Sequence, residues 1–345
     1  MADVPEQASG SDRLQLPSYR DARFYQKRKH GAYREVAAPQ LGCTVADTHA
    51  HLHMLPDPAL ELARCALNGV DFVCMVVDPS EDGSRPFDEL DAWIDDAARV
   101  IGELREGADE AEAEIGGASA FECPRVPHVR IACGVHPHNA RLYDTALERD
   151  LRMRLSDARV SALGEIGLDF HYDFSPRDVQ EEVFRRQLRL AKEAGLPVAL
   201  HVREAHERAL DILCDEGFPE AGTLLHCCSL TWDELESWVE AGCYIAYGGA
   251  LTFKKATAVR AAAVRVPLNR VLTETDAPYM TPEPMRGSCC TPAHVVFTAA
   301  CLADVWGAVS ADERAAFLGE AARNARSLLD REPTAWQRRF QDERI

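Results

Sequence analysis

From residue 43 onward, short apolar runs rich in Val, Ile and Leu alternate with longer segments whose apolar residues recur at helical spacing. The runs Val45–His49, Asp71–Val77, Val129–Val135, Val160–Glu165, Pro197–His201, Thr223–His226, Tyr244–Tyr247 and Val271–Glu274 read as strands. The helical patterns are Pro58–Asn68, Phe87–Glu106, Tyr143–Leu155, Pro176–Ala194, Glu204–Glu216, Trp232–Ala241 and Ala256–Val264, and then Pro292–Trp306 and Ala311–Leu329. Gly69–Val70 and Gly195–Leu196–Pro197 read as helix stops just before strands. Strand–helix alternation predicts an α/β fold with a parallel sheet and helical crossovers. Eight such units in about 290 residues fit a closed (β/α)8 TIM barrel better than an open doubly wound sheet.

The division expected is an N-terminal extension over 1–42, the barrel over 43–330 and a C-terminal tail over 331–345. The extension is polar, with the basic cluster Gln26–Lys27–Arg28–Lys29–His30, and Tyr19, Phe24, Tyr25 and Tyr33 give it something to pack with. A basic run this short is usually a solvated arm, although it could touch nucleic acid. The stretch Leu104–Pro127, rich in Glu, Ala and Gly, breaks the alternation and reads as an acidic insertion or a helix extension.

Composition narrows the possibilities. The net charge of −18 argues against a broad basic groove for duplex nucleic acid. It leaves a phosphate substrate open, because a bound metal ion supplies local positive charge whatever the global sign. No apolar run approaches the ~20 residues of a membrane span, and the first residues lack the apolar core of a secretory signal. The twelve cysteines include no CxxC, only the adjacent pairs Cys227–Cys228 and Cys289–Cys290. The expectation is therefore a cytoplasmic protein with reduced thiols and no membrane contact. No GxGxxG or GxxxxGK[ST] loop is present, which disfavours a nucleotide-cofactor enzyme.

The chemistry collects at strand ends. In VADTHAHLH, His49 and His51 stand two apart, so in a strand both point to one face. An isolated HxH is most often a pair of surface histidines near a turn. Here, however, other strands end in Gly134–Val135–His136–Pro137, Gly164–Glu165–Ile166–Gly167, His201, His226 and, after the eighth, Asp276. All sit at the C-terminal ends, where barrel active sites lie. Four histidines and two carboxylates can hold two divalent ions about 3.5–4 Å apart if one carboxylate bridges them. Glu165, on the middle strand of the series, is the natural bridge. One ion would take His49, His51, Glu165 and Asp276, and the other Glu165, His201 and His226. Asp276 could also hold or deprotonate a water. Mg, Mn or Zn would all suit such ligands.

These segments resemble the TatD family of metal-dependent nucleases, within the amidohydrolase-type barrels. The matching pieces are DTHAHL (47–52), GVHP (134–137), GEIGLDF (164–170), LHVREA (200–205), LHCCS (225–229), TETDAPYMTP (273–282) and PEPMRG (282–287), in family order. The resemblance implies a (β/α)8 barrel with two divalent metal ions that hydrolyses phosphodiesters as a DNase from a 3′ end, with single-stranded DNA as the expected partner. It implies the ligand roles above, with Glu165 and Asp276 catalytic, and it places His136 and Arg203 against the substrate phosphate. His53 stands where the family often has Asp, and Cys290 falls near a common Asn. Asp169 is expected to hold a ligand histidine. His128, His138, His171, His206 and His294 are read as surface or packing residues. The alternative is a D-aminoacyl-tRNA deacylase or another ester or amide hydrolase on the same scaffold. A non-catalytic metal-binding module is disfavoured because all six ligands are present.

Overall fold

The computed structural model describes residues 20–28, 32–112 and 124–342. Tyr19, Lys29, His30 and much of the expected acidic insertion therefore lie outside the described residues. A short antiparallel hairpin comes first, β1 (Phe24–Lys27) and β2 (Tyr33–Val36). Eight parallel strands follow: β3 (Val45–Ala50), β4 (Val70–Val77), β5 (His128–Cys133), β6 (Val160–Asp169), β7 (Val198–Arg203), β8 (Thr223–Leu225), β9 (Tyr244–Tyr247) and β10 (Val271–Thr273). They pair in sequence order from β3 to β10, with a helix between each strand and the next, which is the barrel expected from the alternation. Helices α1 (Pro58–Leu67), α2 (Arg85–Glu112), α3 (Thr145–Leu155), α4 (Arg177–Ala194), α5 (His206–Glu216), α6 (Trp232–Glu240) and α7 (Thr257–Ala263) are crossovers, followed by α8 (Val295–Val305) and α9 (Ala311–Leu329). In the stretch 331–345, residues Ala335–Asp342 form α10. Its Trp336 is buried, and Gln337 Nε2 donates to the carbonyls of Leu155, Asp157 and Val160.

Period-two alternation sorts the strand residues. On β4, Phe72, Cys74 and Val76 join one cluster with Ala46, Ala132, Ala162, Ala199, Leu224, Ala246 and Leu272, which fills the barrel lumen. Ala325, Leu328 and Leu329 of α9 complete that cluster and close the bottom. Val73, Met75 and Val77 join the larger core between sheet and helices. The predicted strands differ from the observed ones mainly in β6, which continues four residues past Glu165, because Leu168 stays buried and Asp169 pairs in register with Arg203.

The barrel closes between β10 and β3 through side chains rather than a regular ladder. Thr273 Oγ1 donates to Ala46 O at 2.7 Å and Thr48 Oγ1 to Thr273 O at 3.1 Å. The wholly buried Asp47 carboxylate accepts from Thr275 N at 2.9 Å and from Thr275 Oγ1 at 2.6 Å. Two main-chain bonds follow, Asp276 N to His49 O at 2.9 Å and His51 N to Ala277 O at 2.7 Å. Burial pushes the Asp47 carboxyl well above its ordinary range, against the pull of its hydrogen bonds from Thr275 and His49. Asp47→Ala leaves buried Thr275 donors without an acceptor, and the expected cost is about 3 kcal/mol. Denaturant unfolding of metal-free protein checks this, and a change under about 1 kcal/mol means that the latch does not hold the seam.

Candidate metal centre

The C-terminal rim of the barrel gathers the predicted residues around Glu165. Pairing of β6 with β7 shifts register between Gly164 and Ile166, so Glu165 sits at an irregularity that re-aims its side chain. Gly167 permits the close approach of the two strands, since a Cβ there would lie 2.0 Å from His201 O and φ is +143°. Strands β3 and β6 are three apart in the sheet, so contact between His49 and Glu165 crosses the lumen.

The two oxygens of Glu165 face different groups. Oε2 lies 3.3 Å from His49 Nε2 and 4.0 Å from His51 Nε2. Asp276 Oδ1 stands beside the same pair, 3.7 Å from His51 Nε2 and 4.0 Å from His49 Nε2. Oε1 lies 2.7 Å from His201 Nδ1, 3.2 Å from His226 Nε2 and 3.7 Å from His136 Nε2. The ligand atoms of His49, His51 and Glu165 fall within 4.8 Å of one another, as do those of Glu165, His201 and His226. Wholly buried His49 has neither ring nitrogen in a well-formed hydrogen bond. A buried imidazole that forms no well-made hydrogen bond among the described residues, yet is aimed at two carboxylates, fits a cation better than it fits packing.

Outer contacts hold these ligands. Asp169 Oδ2 lies 3.1 Å from His201 Nε2, the role expected of it, and 2.7 Å from His138 Nε2. His138 therefore belongs to the site rather than to the surface. Its ligand atoms cluster with those of His136 and His201, and His136 Nδ1 accepts from His138 N at 3.1 Å. The spacing His136–Pro137–His138 was the available signal. Glu274 also went unnoticed in the sequence: its Oε1 is 3.1 Å from His226 Nδ1 and accepts from Cys227 N at 2.6 Å. Such carboxylate–histidine pairs fix tautomer and ring orientation. His226 stacks on His49 with ring centroids 3.8 Å apart. His53 pairs with Asp82 at 2.9 Å, and Cys227, alone of its pair, clusters with His226 and Asp276.

Arg203 is exposed and makes no ion pair with Glu165 among the described residues; its guanidinium lies 4.6 Å over the Tyr172 ring. Tyr172 stacks on Phe174 (8° between planes), both exposed, and His138 meets Phe174 edge-on at 4.8 Å. Asp169 Oδ1 accepts from the amides of His171 and Tyr172, fixing this aromatic shelf to the same residue that holds His201.

The charges are strongly coupled. Burial alone would raise the Glu165 carboxyl, but His226, His49 and His136 and the bond from His201 hold it well below its ordinary range. Burial likewise opposes charge on His226, yet Glu274 and Glu165 raise it to about 10. Burial and the neighbouring His49 lower His51 to about 3. Asp276 is pushed up to about 6, chiefly by burial, with His226 and His49 pulling the other way.

Comparison with known proteins adds to this geometry. A family profile described as TatD-related DNase matches residues 46–327. The metal-dependent hydrolase YabD of Bacillus subtilis is 40% identical over 147 residues, which is 43% of this chain and 58% of YabD. The metal-dependent hydrolase YcfH of Escherichia coli is 38% identical over 169 residues, 49% of this chain and 63% of YcfH. The matched stretches thus span about three fifths of these relatives' length. The 3′-5′ ssDNA/RNA exonuclease TatD of Enterobacter lignolyticus is 38% identical over 192 residues, 55% of this chain and 72% of that protein. Among solved structures, the TatD homologue YjjV of Escherichia coli superposes with a TM-score of 0.65 at 26% identity, over 84% of this chain and 99% of that one.

In the metal-free fold, the raised His226 contributes stability fully below its unfolded pKa of about 6.5, and this is lost as pH rises through about 10. A cation taken up at neutral pH must displace that proton. Calorimetric titration of metal-free protein with Zn²⁺ or Mn²⁺ in buffers of different ionisation enthalpy is expected to give buffer-dependent heats and tighter binding as pH rises. Buffer-independent heats would sink the protonated His226.

Proposed function

Because the chain belongs to the TatD-related DNase family, we propose that it is a two-metal phosphodiesterase that shortens single-stranded nucleic acid from the 3′ end. The carrying observation is the Glu165 carboxylate, with Oε2 facing His49 and His51 and Oε1 facing His201 and His226. In this reading His49, His51, Glu165 and Asp276 hold one divalent ion, and Glu165, His201 and His226 the other. Zn, Mn and Mg are all candidates for a donor set of imidazoles and carboxylates. Ions bound there would acidify a water and stabilise the attacking and leaving oxygens of an in-line displacement.

The chain's own groups supply the rest. Asp276, raised towards neutrality by burial, is suited to take a proton from the attacking water. Asp169 keeps the His201 ring oriented, and His138 braces Asp169 through the same Oδ2. His136 and Arg203 orient the phosphate, Arg203 through the planar fork that matches phosphate oxygens. Tyr172 and Phe174 offer exposed aromatic surface against which an unpaired base can pack, such contacts being worth about 1–3 kcal/mol per base. The named activity of the Enterobacter lignolyticus relative supports this substrate class. An ester or amide hydrolase could use the same carboxylates and imidazoles, but Arg203 beside the shelf favours a nucleotide phosphate. The free thiols of the described cysteines suit a reducing compartment such as the cytoplasm.

The test uses metal-stripped protein with 3′- and 5′-labelled single-stranded DNA and Mg, Mn or Zn added in turn. Metal-dependent shortening from the 3′ end is expected, with at least a 10²-fold loss in Glu165→Ala or His201→Ala. Full activity in folded variants overturns the two-metal assignment. Protein that binds two ions but cleaves no DNA shifts the reading to acyl esters.

A further inference from the structure

We propose that the N-terminal hairpin is a strand guide, a basic surface that carries single-stranded nucleic acid to the rim where the metal centre lies. The inference rests on the nuclease reading for the identity of the strand. It is argued from where the hairpin runs and from which charges it delivers there.

The hairpin climbs the outside of the barrel. Its approach is tied low, near the C-terminal end of α1, where Arg64 Nε donates to Asp21 O at 2.7 Å and Asn68 Nδ2 to Ala22 O at 2.9 Å. Phe24 is buried one step higher, edge-on to Phe297 at 4.8 Å and to His294 at 5.2 Å, at the start of α8. Gln26 Nε2 then donates to Pro284 O, in the segment that follows β10 at the C-terminal rim. The chain turns back only after Lys27 and Arg28, and β2 returns it towards the start of β3. The end of β1 therefore stands beside the loop that begins with the candidate ligand Asp276.

Two rim loops extend the same surface. Glu283 N donates to Thr252 Oγ1 at 2.8 Å, joining the loop after β10 to the loop after β9. Arg286 lies 4.1 Å over the Phe253 ring, next to Lys254 and Lys255. Lys27, Arg28, Arg34, Lys254, Lys255 and Arg286 are all exposed, and none forms an ion pair among the described residues. Among the described acids of the hairpin and the loop after β10, Glu35 is engaged by Arg23 at 3.0 Å, Asp21 accepts from Tyr25 Oη and Arg23 N, and Glu283 and Asp276 lie in the rim loop.

The distribution of lysine makes the same point independently. The chain has five lysines, at 27, 29, 192, 254 and 255, and of the four among the described residues three, Lys27, Lys254 and Lys255, lie in the hairpin or the β9 loop. In a chain of net charge −18, unpaired cations gathered at one rim match a polyanion. The chemistry recognised is a phosphodiester backbone. The exposed Tyr172–Phe174 shelf next to His138 offers the matching contact for bases of the same strand.

The test compares wild type, the Lys27→Glu/Arg28→Glu variant and a Lys192→Glu/Arg339→Glu control that makes the same change in charge away from the rim. Metal-loaded protein is titrated with fluorescent phosphorothioate dT20 and with a phosphorothioate trinucleotide over a series of salt concentrations. The hairpin variant is expected to bind dT20 on the order of tenfold more weakly at low salt, with a log–log salt slope shallower by about 1.4, two phosphate contacts at ~0.7 each. The trinucleotide is expected to lose far less, and the control is expected to behave as wild type. Equal dT20 affinity and slope in the hairpin variant overturn the inference, as does an equal loss in the control. DNA cleavage assayed in parallel separates the two readings: salt-dependent dT20 binding that needs Lys27 and Arg28, without cleavage, supports the guide and sinks the nuclease.

Discussion

One carboxylate carries the arrangement. Glu165 is buried where a lone anion would be costly, and the imidazoles around it are costly in the same way if charged. Each makes the other tolerable, and a cation shared between them satisfies both. The irregularity in β6 that aims Glu165, the glycine that lets β6 approach β7, and the Asp169 and Glu274 carboxylates behind His201 and His226 all serve this one contact. The rest of the barrel acts as a frame that brings side chains from β3, β6, β7 and the ends of β8 and β10 to within a few ångströms.

The strand ends were legible because two independent patterns coincide there. Apolar β-branched runs mark where each strand stops, and His or carboxylate residues follow at the same point in DTHAHL, GEIGLD, LHVREA, LHCC and TETDAP. What was not legible depends on partners distant in sequence. Asp47 looks like one more polar residue before a histidine until Thr275, 228 positions on, meets it across the seam. His138 looks like a loop residue until Asp169 is seen to bind it and His201 together. Tyr172 and Phe174, read from sequence alone, would pass for ordinary apolar residues, and only the fold shows their rings exposed beside the site. The hairpin was hidden for another reason: four-residue strands carry too little periodicity to signal themselves.

Net charge and local charge speak to different distances. At physiological salt, fields fade over about 8 Å, so the −18 of the whole chain and the cations of the hairpin and rim loops act on different parts of an approaching polymer. The overall acidity discourages indiscriminate coating of duplex, while the rim offers a small number of positive contacts and, across the barrel mouth, two exposed rings. That combination suits a strand end better than a long helix.

The candidate ligands run from His49, near the start of the barrel, to Asp276, just past its last strand. A chain emerging from the ribosome carries the histidine pair early and lacks the closing carboxylate until nearly all of the barrel has been made. No shorter fragment holds the complete set, and the seam that brings Asp276 beside His49 forms only when the last strand docks on the first. For the centre proposed above, topology alone places completion at the end of synthesis: Glu165, His201 and His226 come from β6 to the end of β8, and only the docking of β10 on β3 adds Asp276 beside His49.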